Sequence, residues 1–192
     1  AKPAEKVSVD EVKKLLRSHF EIAGLESHDP YTKGLRGDEP YRPISVFRTY
    51  ESHVMQVRPN LPRAIGEVTY LAMGMDLGVY VPFYQGLKAF PKEYSIGTDK
   101  ADSNSAYWKF RKVQTLAMTD YPKLAPVVHE RYAAWEADTA EKMKAFEAQY
   151  LKTVKTNPKK ADQMLQDFNL KVIRSAEAAT EALENELYTI RT

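Results

Sequence analysis

Apolar residues alternate with polar ones through the first half of the chain and recur at three- and four-residue steps through the second. In residues 44–50, Ile44, Val46, Arg48 and Tyr50 fall on one face of a period-2 strand, and Ser45, Phe47 and Thr49 on the other. After a short turn near Glu51-Ser52, residues 53–58 read as a return strand. It puts Val54 and Gln56 on one face and His53, Met55 and Val57 on the other. Residues 67–73, rich in Val, Thr and Tyr, make a third strand. A fourth is expected around 79–84, where Pro82 argues for an edge, a bulge or an extended loop. Both faces of these strands carry apolar residues, which predicts a sheet covered on both sides.

The rest is helix and loop. Ser8 and Glu11 fit a capping box, and Val12, Leu15, Leu16 and Phe20 follow helical spacing, predicting a helix over 9–20. His19 falls near its end, where a cation is favourable to the helix dipole. Residues 24–40 form a loop dense in Gly, Pro, Asp and Lys, with a turn at His28-Asp29-Pro30-Tyr31. A second loop covers 88–103, and from there helical periodicity dominates. A helix over 104–119 ends at Asp120-Tyr121-Pro122. A long helix over 124–156 carries Val128, Tyr132, Trp135, Thr139, Met143, Phe146 and Tyr150 as its stripe. After a turn at Asn157-Pro158 the last helix carries Leu165, Phe168, Val172, Ala176, Ala179, Leu183, Leu187 and Ile190. Matching stripes and a short connection predict an antiparallel pair with Lys, Glu, Gln and Asp on the outer faces. The fold class is α+β, with a sheet-containing part over 1–103 and a helical region over 104–192.

Composition narrows the classes of function. The chain has 192 residues, 43% hydrophobic and 28% charged, as expected of one soluble globular domain with or without a helical appendage. A net charge of +2 is too small to imply a nucleic-acid or membrane-surface partner, and no apolar run approaches the length of a membrane span. There is no signal-peptide pattern at Ala1. With no cysteine, disulfides, thiolate metal sites and a cysteine nucleophile on this chain are excluded. The four histidines show no His-x-x-x-His spacing, so no metal or other cofactor is expected. The Trp and Tyr stripe reads as packing, and the lysine-rich run over 152–160 as a solvated helix end and turn. Arg48 stands apart. On an otherwise apolar strand face it needs a partner or a wet cavity, which leaves a structural salt bridge and a functional site both open. Arg42, Glu51 and His53 lie close in sequence as its candidate partners. No Gly-rich phosphate loop, nucleophile elbow or metal signature is present.

Several short motifs, in order, resemble the bacterial dipeptidase A family of cysteine dipeptidases related to the secernins. They are His19-Phe20-Glu21, His28-Asp29-Pro30-Tyr31, Tyr41-Arg42-Pro43-Ile44, Arg48-Thr49-Tyr50-Glu51-Ser52-His53 and Gln56-Val57-Arg58-Pro59. Tyr70-Leu71-Ala72-Met73-Gly74, Val81-Pro82-Phe83-Tyr84 and Ala106-Tyr107-Trp108-Lys109-Phe110 continue the series, so the resemblance is colinear over roughly 12–120 and the helical tail fits as well. The resemblance implies an N-terminal-nucleophile hydrolase with a four-layer αββα sandwich. Its N-terminal cysteine thiol would attack the scissile carbonyl of a dipeptide, with the α-amino group as base and without a metal.

This chain departs from that pattern in lacking the cysteine, so it is expected to match the C-terminal part of such a dipeptidase and to be inactive alone. The resemblance implies two partners, a dipeptide substrate and the N-terminal portion of the same protein, and a homo-oligomer is expected; no nucleic acid or membrane is. Arg48 is the first candidate for the substrate carboxylate. Arg42, Glu51 and His53 are second candidates for orienting it or a substrate amine, and Asp29 and Tyr31 for the pocket mouth. A cytoplasmic location is expected, with a secreted or cell-surface bacterial protein as the alternative. The competing functions are a non-catalytic interaction module built on the helical pair, and a cysteine-free homologue that has lost catalysis.

Overall fold

The computed structural model describes residues 6–19, 43–74 and 76–192. Helix α1 (Val9–Leu16) opens on the expected capping box: the Glu11 N–H donates to Ser8 Oγ at 3.2 Å, and the Ser8 N–H donates to the Glu11 carboxylate at 2.6 Å. It ends before the predicted residue 20 because its continuation bonds elsewhere. Ser18 O accepts the Ser45 N–H, and the buried His19 meets Ser45 O through Nδ1 at 2.9 Å. His19 therefore lies beyond the helix end as a buried residue, its ring tilted against that of Tyr121.

Strands β1 (Ser52–Val57), β2 (Glu67–Ala72) and β3 (Val81–Tyr84) form an antiparallel sheet in that order. The register pairs Val54 with Tyr70 and Tyr70 with Pro82, so these three share a face with Gln56, Val68 and Tyr84. Pro82 lies in an edge strand, where a missing N–H is tolerated. Pro59 and Pro62 lie in the β1–β2 connection, and Pro62 precedes its one-turn helix α2 (Arg63–Gly66). The first expected strand, over 44–50, does not form; that segment runs as turns.

Helix α3 (Ala106–Ala117) passes through a 3₁₀ turn (Met118–Asp120) into α4 (Tyr121–Thr156). Pro122 sits in the first turn of α4, where its missing N–H has no helical acceptor to lose. Helix α5 (Pro158–Arg191) is capped by Asn157, whose Oδ1 accepts the Lys160 N–H at 3.0 Å. The α4–α5 pair is antiparallel as expected. Lys123 at one end of α4 reaches Ile190 O, Tyr132 bonds Thr180, and Phe146 stacks on Phe168 near the turn. No helix among the described residues is long and apolar enough to cross a membrane.

The two faces of the sheet have different fates. One packs Val68 and Tyr84 against Met143, Phe146, Tyr150 and Leu165 of the helical pair, and Val54 and Ala72 against Val12 and Leu16 of α1. The other buries Val81 and Phe83 with Phe110, Val113, Val172 and Ile173. At β1 that second face is open: Met55 is 70% exposed and Val57 68%. The two-sided cover read from the alternation therefore holds at β3 and fails at β1.

Candidate functional site

Arg48 sits at the exposed tip of a turn over residues 46–49, closed by the Thr49 N–H donating to Val46 O at 2.8 Å. Since the segment is not a strand, Arg48 does not point into a core and needs no buried counterion. Its guanidinium lies over the Phe47 ring, 5.1 Å from the centroid. The carbonyls that a strand would have paired in a ladder are met by side chains of α3 instead. Arg111 donates to Phe47 O at 2.9 Å and to Thr49 O at 3.4 Å, and the buried Gln114 donates to Phe47 O at 3.2 Å. The far end of the segment is held by the Gly74 N–H, which donates to Tyr50 O at 3.0 Å.

Gly74 is the position where glycine is required. Its φ of +124° is unfavourable for any L side chain, and an added Cβ would lie 2.6 Å from Gln114 Oε1. Gly74→Ala should cost about 2 kcal/mol, read as a lower urea midpoint at unchanged m-value. An unchanged midpoint would mean that Gln114 swings away freely and holds nothing.

Of the other residues read from the sequence, Glu51 and His53 come together, with His53 Nδ1 2.9 Å from Glu51 Oε1. Both are about half exposed, so the pair adds little to stability, and neither is bonded to Arg48. Because residues 44–50 form no strand, no ladder pairing brings Glu51 or His53 onto Arg48. Asp29, Tyr31 and Arg42 lie outside the described residues.

The sequence reading missed three polar groups that organise the interior. The Arg58 guanidinium holds the Glu147 carboxylate in two bonds of 2.7 and 2.9 Å and donates to Ile65 O, while Tyr84 OH donates to Glu147 Oε1 at 2.6 Å. Burial alone would lower the Arg58 pKa, but the adjacent Glu147 outweighs it and holds the group above its ordinary value. Burial, followed by the Glu147 acceptor, pushes the Tyr84 phenol far up, so it remains a donor. A second group joins α1 to α4: Arg17 donates to Glu136 at 2.5 Å and to Gly78 O at 2.7 Å, and Glu136 also accepts the Tyr80 N–H at 2.8 Å. In the third, the buried Asp76 accepts from Tyr121 OH at 2.6 Å and meets His129 Nε2 at 3.0 Å. Arg17, Asp76, His129 and Glu136 border a cleft of about 400 Å³ between α1 and α4.

One signal for the acidic members was present. Glu136, Met143, Glu147 and Tyr150 follow 7-, 4- and 3-residue steps, so two carboxylates fall on an apolar stripe. Among the described residues no group of three or more His, Asp or Glu side chains is arranged to hold a metal ion. With no thiol on the chain, the exposed Arg48 offers recognition of an anion and no bond-breaking chemistry.

Residues 1–134 match the model of peptidase family C69, and the chain belongs to that family. A probable dipeptidase of Salmonella dublin is 52% identical over 99 residues, covering 51% of this chain and 21% of that protein. A probable dipeptidase A of Streptococcus pyogenes serotype M1 is 31% identical over 125 residues, covering 62% of this chain and 25% of the relative. A probable dipeptidase of Latilactobacillus sakei is 29% identical over 147 residues, 76% of this chain and 28% of the other. The chain thus spans between a fifth and about three tenths of the curated relatives it matches.

Proposed function

We propose that this chain is part of a cysteine-type dipeptidase whose nucleophile stands on another segment of the same protein. The carrying observation is the family match over residues 1–134, joined by relatives whose names all read dipeptidase or probable dipeptidase. The α-amino group of an N-terminal cysteine takes the thiol proton, the sulfur attacks the scissile carbonyl, and N–H donors stabilise the tetrahedral oxyanion; the proton then passes to the departing amine, and water hydrolyses the remaining thioester to free the cysteine. The three-stranded sheet is one layer of an αββα sandwich in this reading. The exposed Met55 and Val57 support it, because a second sheet stacking on that face of β1 would bury both. Arg48 contributes recognition, its guanidinium meeting the substrate's α-carboxylate in a bidentate pair.

The test is hydrolysis by the cysteine-bearing, full-length protein. Dipeptides with a free carboxylate should be cleaved with a chelator present, and longer peptides left intact. Cleavage that disappears with the chelator would reject the thiol mechanism.

A further inference from the structure

We infer that Arg111 and Gln114 of α3 are positioning residues that present Arg48 to the substrate, by clamping the carbonyls on either side of it. The inference rests on the reading of Arg48 as the carboxylate-binding group and adds what holds that group in place. Arg48 has no strand partner to fix its backbone, and its side chain is exposed. An arginine on a free loop would lose side-chain and backbone freedom on binding, which weakens recognition. Here the flanking carbonyls, Phe47 O and Thr49 O, are both bonded by the Arg111 fork, and Phe47 O takes a second bond from Gln114.

Two features set the clamp apart from ordinary packing. Arg111 enters no ion pair among the described residues, so a guanidinium is committed to two neutral carbonyls. Gln114 is buried, with its Oε1 packed where only a glycine at position 74 leaves room for it. The Phe47 ring then supports the Arg48 guanidinium from below. The backbone around Arg48 is thus held from α3, more than sixty residues away in sequence, and its side chain by the neighbouring Phe47 ring.

The experiment compares kcat/KM for a dipeptide and for its C-terminal amide in the full-length enzyme. Arg48→Ala should collapse the preference for the free acid by about a hundredfold. Arg111→Met and Gln114→Met should each lower that preference about tenfold, through KM for the acid, with kcat little changed and the amide unaffected. Arg111→Lys should restore part of it. In parallel, trypsin cleavage of the Arg48–Thr49 bond, followed by mass spectrometry, should accelerate by about fivefold or more in both methionine variants, because the turn opens more often.

If the α3 variants lose acid and amide turnover equally, the two residues serve folding only and the inference fails. Should Arg48→Ala leave the preference intact, the assignment of Arg48 falls and the inference with it. If Arg48→Ala removes the preference while the α3 variants keep it, the inference alone falls. Were the full-length protein to hydrolyse no dipeptide, the dipeptidase reading would fail by itself, and an unchanged trypsin rate in the variants would overturn the clamp.

Discussion

Glu147→Ala should destabilise the chain by about 3 kcal/mol, near the low end of what breaking a buried ion pair costs. Two groups lose their partner at once. Arg58 keeps its charge, because its guanidinium does not deprotonate, yet it is left facing Ile65 O and the apolar floor of the sheet. Tyr84, buried and paired with Val68 in the sheet, loses the acceptor of its hydroxyl. The contact tying the end of β1 to α4 also disappears. The low end applies because Arg58 retains a route to solvent, its side chain being 23% exposed. Glu147→Gln keeps an acceptor for Tyr84 and should cost less. The Arg58→Met, Glu147→Leu double variant should recover most of the loss, since the expensive state is one charge without the other. Urea titrations of the three variants check this, and a double variant no more stable than Glu147→Ala would contradict the coupling.

The second large effect is Leu165→Ala, expected to cost about 3–4 kcal/mol. Leu165 is fully buried at the centre of the cluster formed by Ile65, Val68, Tyr84, Met143, Phe146 and Tyr150. Its Cδ1 lies 2.9 Å from where a Cβ on Gly86 would stand, so it closes directly on the chain leaving β3. Strand and helices meet rigidly there: Tyr84 N–H donates to the buried Asn169, and Gln166 bonds both Gly86 O and Lys88 N–H. A site pinned on two sides collapses poorly around a cavity, which argues against the low end of the usual range. Against a total stability of about 5–15 kcal/mol for a typical domain, either substitution is large. A loss under about 1 kcal/mol would mean that α5 slides in to fill the space.

The regular elements were legible because each announces itself within its own stretch. The capping box at Ser8, the stripes of α4 and α5 and the alternation of β1 and β2 are local patterns, and all are present. Residues 44–50 show the limit. Their alternation matches a strand as well as that of β1 does, but a strand also needs a neighbour. The donors that took its carbonyls are Arg111 and Gln114, whose proximity no local pattern encodes. Arg48 was singled out for its place on an apolar strand face, but it stands exposed on a turn and requires no buried partner. Arg17 escaped notice as an ordinary helix charge, while Glu136 and Glu147 were marked only by their place on the apolar stripe of α4; their partners emerge from the packed fold.

The most direct test of the central claim is thiol labelling of active protein with iodoacetamide, followed by intact mass and peptide mapping. The account predicts that dipeptide hydrolysis is lost in step with one adduct, on an N-terminal cysteine outside this chain, and that a dipeptide slows the labelling. Hydrolysis that continues undiminished after every cysteine is alkylated would contradict it.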